Sequence, residues 1–154
     1  MPFSTAYFKP QTKDYIVSNF DVSSKILDVG AGAGAYYDML NPLGYKHIDC
    51  VEVFADYIDT YELHKKYNTV YNEDVTKLNI DFNKYDLIIF GDVLEHIDKD
   101  EAKKLLDKIT TNVIIGVPFL SPQDESFNNK FEIHLQEDLT FINFFERFDN
   151  FKPL

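Results

Sequence analysis

The stretch KILDVGAGAGAYYDML, Lys25 to Leu40, places three glycines at every second position directly after a short apolar run. Glycine costs about 0.5–1 kcal/mol relative to alanine in regular structure, so a requirement other than stability places it there. Gly30, Gly32 and Gly34 allow a sharp turn and leave backbone amides bare in front of a helix that is expected to start near Ala35. Gly30, Gly32 and Ala35 also satisfy the dinucleotide pattern G-x-G-x-x-[GA], so the loop alone leaves the ligand open.

Outward from this loop, apolar runs alternate with helix-like segments. KILDVG (25–30), HIDCVEVF (47–54), TVYNEDV (69–75), YDLIIFGD (85–92) and NVIIGVPF (112–119) read as buried parallel strands. Between them AYYDMLNPLGY, ADYIDTYELHKKY and VLEHIDKDEAKKLLDKIT carry apolar residues at helical spacing, and a further helix around Gln11–Asn19 precedes the first strand. This order predicts an α/β fold: a doubly wound, mostly parallel sheet with helices on both faces. LSPQDESFNNK (120–130) reads as an irregular loop over the sheet's edge.

The chain has 154 residues, 45% of them hydrophobic, enough for one domain spanning 1–154. A formal charge of −11 repels nucleic acid phosphates and anionic membranes, which makes a nucleic acid partner unlikely. The single cysteine, Cys50, fits a buried core position and a reducing compartment. No apolar run reaches the roughly 18–20 residues needed to span a bilayer, and MPFSTAYFKPQTKDY lacks the apolar segment of a leader, so a soluble, cytoplasmic protein is expected.

Two acidic residues narrow the ligand. Glu52 ends the second strand where a carboxylate can accept both ribose hydroxyls of a nucleoside cofactor. Asp28, two residues before Gly30, would repel a pyrophosphate but attract an ammonium group. S-adenosyl-L-methionine carries an ammonium, a sulfonium and a ribose, and no phosphate. In ILDVGAGAGAYYDML, DCVEVFADYI, NEDVT and YDLIIFGDVLEHI, taken in order, the chain resembles the class I, Rossmann-like S-adenosylmethionine-dependent methyltransferases, over roughly residues 24–140. The resemblance implies that Gly30, Gly32 and Gly34, with Ala31 among them, contact the methionine part of the cofactor. It assigns the ribose to Glu52 with Val53 beside it, and the adenine amino group to Asp74 with Val75 beside it. Gly91 and Asp92 then line the methionine side.

In GDVLEHID, Asp92 and His96 stand at i and i+4, and on a helix they would share a face with which Glu95 could make a metal site or an acid/base pair. Metal-dependent RNA 2′-O-methyltransferases carry a similar acidic-x-x-Glu-His element. Many metal-free small-molecule methyltransferases do too, and the charge argues against RNA, so no metal is expected, with Glu95 and His96 capping or bracing the helix. His134 falls where the family often has a histidine facing the acceptor, as a base. Gly91-Asp92-Val93-Leu94 lacks the Asn/Asp-Pro-Pro-aromatic element of amino and amide methylation, which leaves O-, C- or other N-methylation of a small-molecule acceptor.

Such domains usually close with an antiparallel strand pair, but here QEDLTFINFFERF reads as an amphipathic helix and DNFKPL supplies at most one short strand. A sheet shortened at this end is expected. It keeps two other readings in view: an inactive partner subunit or cofactor-binding module, and another S-adenosylmethionine-using enzyme such as a lyase or hydrolase. The aromatics of FINFFERFDNF would suit a homo-oligomer or a partner surface.

Overall fold

Runs rich in Val, Ile and Leu become strands here because both of their faces are covered. The computed structural model describes residues 8–124 and 128–154. Residues 1–7, part of the stretch read as lacking a leader, and residues 125–127 of the irregular loop lie outside the described residues. The elements are α1 (Lys9–Asn19), β1 (Ile26–Val29), α2 (Ala35–Leu40), β2 (Ile48–Val51), α3 (Ala55–Thr60), α4 (Leu63–Lys66), β3 (Val70–Tyr71), β4 (Leu87–Gly91), α5 (Lys99–Asp107), β5 (Asn112–Gly116) and α6 (Phe141–Arg147). The strands pair in the order β3-β2-β1-β4-β5, every pair parallel. The doubly wound expectation holds, and among the described strands the sheet is wholly parallel and ends at β5.

Alternation along the strands sends neighbouring side chains to opposite faces. Leu27, Val29, Ile88 and Phe90 pack with Leu105 and Leu106 of α5 and Phe144 of α6. Ile26, Cys50 and Ile89 pack on the other side with Ile16 of α1, Leu40 of α2 and Leu63 of α4. Helices thus cover both faces, and Cys50 is a buried core residue as expected.

Several expected elements are shorter than their patterns, and the helix read over 55–67 is broken into α3 and α4 at Glu62, which takes a positive φ of 51°. The segment 93–110 is not one helix: a 3₁₀ turn covers Leu94–His96 and α5 starts only at Lys99. Asp98 sets that start, since its carboxylate accepts from the backbone N–H groups of Asp100 and Glu101 and caps the helix. Asp92 and His96 therefore share no helix face. Likewise 136–148 is helical only from Phe141, because Thr140 and Asn143 form a reciprocal capping box. β3 stops after two residues where Asn72 turns its side chain back and donates to the Glu52 carbonyl at 2.8 Å.

Ile88 lies fully buried in the central β4. Ile88→Ala should cost about 2–5 kcal/mol of stability, read by urea unfolding of the two proteins side by side.

Candidate functional site

In a doubly wound sheet the crevice opens at the carboxyl ends of the strands where their order reverses, here between β1 and β4. A cavity of about 330 Å³ lies there, lined by the loop after β1, the ends of β2 and β4, and the chain segment around residues 129–135. The loop takes a path that only glycine follows easily, with φ of 72°, 52° and 84° at Gly30, Gly32 and Gly34. At Gly30 space is decisive as well, since a Cβ there would lie 2.3 Å from Val93 Cγ2.

Glu52 holds this loop. Gly32 N–H donates to one carboxylate oxygen at 2.8 Å and Phe54 N–H to the other at 2.9 Å. Burial pushes the Glu52 carboxyl above its usual range while these backbone bonds pull it back. Glu52 and Val53 line the cavity, as do Asp74 and Val75 beyond β3. Burial works against the charge of Asp74, yet Thr76 and Lys77 together keep its carboxyl below the usual range.

Gly30, Ala31 and Gly32 line the cavity as well, whereas Gly34 and Asp28 do not. Asp28 lies beneath the loop, 1% exposed, where the Tyr67 O–H donates to Oδ2 at 2.5 Å. Its Oδ1 accepts no hydrogen bond from the described residues. Burial raises the Asp28 carboxyl to about 7 against the opposing pull of Tyr67. At the end of β4, Gly91 leaves room for the Tyr36 ring, which a Cβ would approach to 2.3 Å. Asp92 follows in a left-handed conformation, φ 55°, that aspartate tolerates better than most residues, and it lines the cavity.

The outer wall is the part that the sequence did not reveal. Tyr57 of α3 donates to Glu132 at 3.0 Å, and Gln123 Nε2 donates to the Glu132 carbonyl at 2.6 Å, which bring residues 129–135 over the cavity. The loop read as lying over the sheet's edge therefore leads into a wall of the site. No periodic pattern marks Tyr57, Asn129 or Glu132, because their pairing is set by contacts across the chain.

His134 belongs to this segment but does not line the cavity, which His96 does. His96 Nδ1 bonds to the Ile133 carbonyl at 3.0 Å, and His134 Nδ1 bonds to that of Ser121. A carbonyl only accepts, so in the neutral rings each Nδ1 carries the proton and each Nε2 keeps its lone pair. Burial holds His96 in that neutral form, its pKa lowered to about 4. The two rings meet edge to face at 4.7 Å, and with a Glu95 carboxylate oxygen the three offer donor atoms within 4.8 Å of one another. Glu95 does not cap the following helix. Its side chain is buried and accepts no hydrogen bond from the described residues, while its backbone carbonyl accepts from Leu135 and Gln136. His96 does brace the turn, through Ile133.

A family profile described as a methyltransferase domain matches residues 27–113, more than half of the chain. The chain belongs to the methyltransferase domain family. Magnesium protoporphyrin IX methyltransferase from Synechocystis PCC 6803, solved with bound SAM, superposes on this methyltransferase domain with a TM-score of 0.57 at 18% identity, over 69% of this chain and 55% of that one. An S-adenosylmethionine-dependent methyltransferase from Clostridium acetobutylicum gives 0.56 at 21% identity, over 70% and 50%. The YcgJ protein from Bacillus subtilis gives 0.64 at 14% identity, over 92% and 67%. The chain thus spans about half the length of the first two. No curated protein sequence matches it.

Asp28 gives a test of the site's electrostatics. Its folded pKa of about 7 exceeds the unfolded value of about 3.9, so its contribution to stability is full below the unfolded value and is lost as pH rises through 7. Unfolding by urea at pH 5 and pH 8 should show the wild type losing more stability over this interval than Asp28→Asn.

Proposed function

We propose that this methyltransferase domain binds S-adenosyl-L-methionine and directs its methyl group to a small-molecule acceptor by O-, C- or N-methylation. The observation that carries this reading is the charge of the cavity, where Glu52, Asp74, Asp92, Asp98 and Glu132 contribute carboxylates and the lysine among the lining residues is Lys130. Such a field attracts a sulfonium and an ammonium and repels a pyrophosphate. The likeness to a methyltransferase crystallised with SAM supports the same choice.

Each chain residue then has a task. Glu52, already at the cavity floor beside Gly32, accepts the ribose hydroxyls, and Asp74 with Val75 borders the adenine. Asp92 lies at the methionine side. The bound cofactor supplies an activated methyl on sulfur, and the chain's contribution is to hold an acceptor in line behind it with water excluded. A cavity of about 330 Å³ falls within the range of ligand sites, about 300–1,000 Å³, and is of a size to take a nucleoside cofactor.

Calorimetry with S-adenosylhomocysteine and with NAD checks the cofactor class: the first should bind and the second should not. Tight NAD binding with no response to S-adenosylhomocysteine would refute the reading. Glu52→Ala should weaken S-adenosylhomocysteine binding by about 1.5–3 kcal/mol in the same assay.

A second reading draws on Glu95, His96 and His134. Two imidazole lone pairs and a buried carboxylate without hydrogen-bond donors form a set that a divalent cation would satisfy, and the proton on each Nδ1 is already held by a carbonyl, as in many metal-ligating histidines. In this reading His134 is a ligand rather than the base expected of it. Titration with Mn²⁺ or Zn²⁺ should show binding in the wild type and its loss in His134→Ala, with S-adenosylhomocysteine affinity retained. If the wild type binds neither ion, the cluster is packing, and His134→Ala should lower only the melting temperature.

A further inference from the structure

On one side the sheet of the described strands ends at β5, and that edge is open. β1 and β4 are buried along their whole length, whereas in β5 only Ile114 is buried, Val113, Ile115 and Gly116 are half-buried and Asn112 is exposed. The Gly116 carbonyl accepts from the Asp92 N–H at 2.8 Å, so the polar groups of Gly116 face β4. Backbone groups alternate in direction along a strand, which turns the N–H and C=O of Val113 and Ile115 away from the sheet. Among the described residues nothing bonds to them.

Edge strands ordinarily carry a charge, a proline or a bulge that keeps other strands away. β5 pairs with β4 in unbroken register and holds neither a charged residue nor a proline; Pro118 follows only after it ends. No charged residue lies between Lys108 and Asp124, the longest such run in a chain of net charge −11. Just beyond the strand, Phe119 and Phe141 meet edge to face at 6.3 Å, yet remain 43% and 55% exposed. An apolar flank thus continues the open edge. The opposite edge, β3, offers only two residues for pairing.

We propose that β5 pairs antiparallel with β5 of a second copy of this chain about a two-fold axis, joining two five-stranded sheets into one. The outward backbone groups of Val113 meet those of Ile115 in the other copy, and Ile114 lies opposite itself on the axis. A strand supplies what the edge lacks, a second row of alternating donors and acceptors. Charge selects a copy of this chain as that strand's source. A two-fold contact sets one patch against itself, which is unfavourable where the patch is charged and tolerated where it is neutral. Over most of their surface two such acidic chains repel each other, but from 109 to 123 no like charges meet. No residue of β5 lines the cavity, so the pairing is independent of the cofactor reading.

Sedimentation velocity of the chain at about 50 µM should show a dimer, with a larger dimer fraction in about 0.5 M salt than in about 0.05 M, because screening weakens the long-range repulsion. Ile115→Pro removes an N–H that β4 does not use, so it should keep the circular dichroism of the wild type and sediment as a monomer. Should that variant fail to fold, Phe119→Lys decides. It alters an exposed side chain, sets like charges beside the contact and should weaken the dimer by about 10-fold or more. A wild type that stays monomeric in both salts overturns the pairing, as does a dimer left intact by folded Ile115→Pro or, failing that, by Phe119→Lys. Association that grows without limit as concentration rises overturns it too, because two-fold pairing closes on itself.

Discussion

The bond from Gly32 N–H to the Glu52 carboxylate, 2.8 Å long, joins the loop after β1 to the end of β2. Everything else at the site is placed relative to it. The loop can approach Glu52 because Gly30, Gly32 and Gly34 adopt left-handed conformations, and β2 ends in the right place because it pairs in register with β1, Val29 opposite Val51. Glu52 is thus both a brace and a ligand candidate. Its second oxygen, bonded to Phe54 N–H, ties the start of α3 into the same unit.

The other side of the crevice is assembled differently. β4 delivers Gly91 and Asp92 next to β1, and Gly91 gives its space to Tyr36 from α2. Close approach is achieved by omission: a Cβ on Gly30 would strike Val93, and one on Gly91 would strike Tyr36. Two missing methyl groups let the turn after β1 and the turn after β4 share one small volume. That volume borders Asp92, one of the carboxylates that line the cavity.

What the sequence made legible was local. The apolar runs, the glycine spacing and the acid at the end of β2 are patterns within one element, and the structure keeps each of them. Breaks in regular structure were harder. Asp98 and Thr140 resemble ordinary polar residues inside amphipathic patterns, yet their side chains capture backbone N–H groups and start the helices later than the periodicity suggests. Hardest was the meeting of Glu95 and His96 with His134, which depends on backbone bonds from Leu135 and Gln136 to the Glu95 carbonyl. Separation along the chain hides such contacts, since neither partner carries a pattern that names the other.

Those same bonds have a consequence for how the cavity is closed. The wall segment is pinned where Leu135 and Gln136 meet Glu95, where Gln136 Nε2 donates to the carbonyls of Leu94 and Ile97, and where Leu120 N–H meets the Leu139 carbonyl. Between the pins the described residues bond to α3, through Tyr57 and Glu132, and to the turn after β4, through His96 and Ile133, rather than to a strand, and lengthening a surface loop costs only about 0.6 kcal/mol per doubling. The family profile stops at residue 113, inside β5 and before the wall begins. The matched segment thus carries the loop after β1 and the ends of β2 and β4, while the panel that closes the cavity from outside is held to that framework by a handful of bonds.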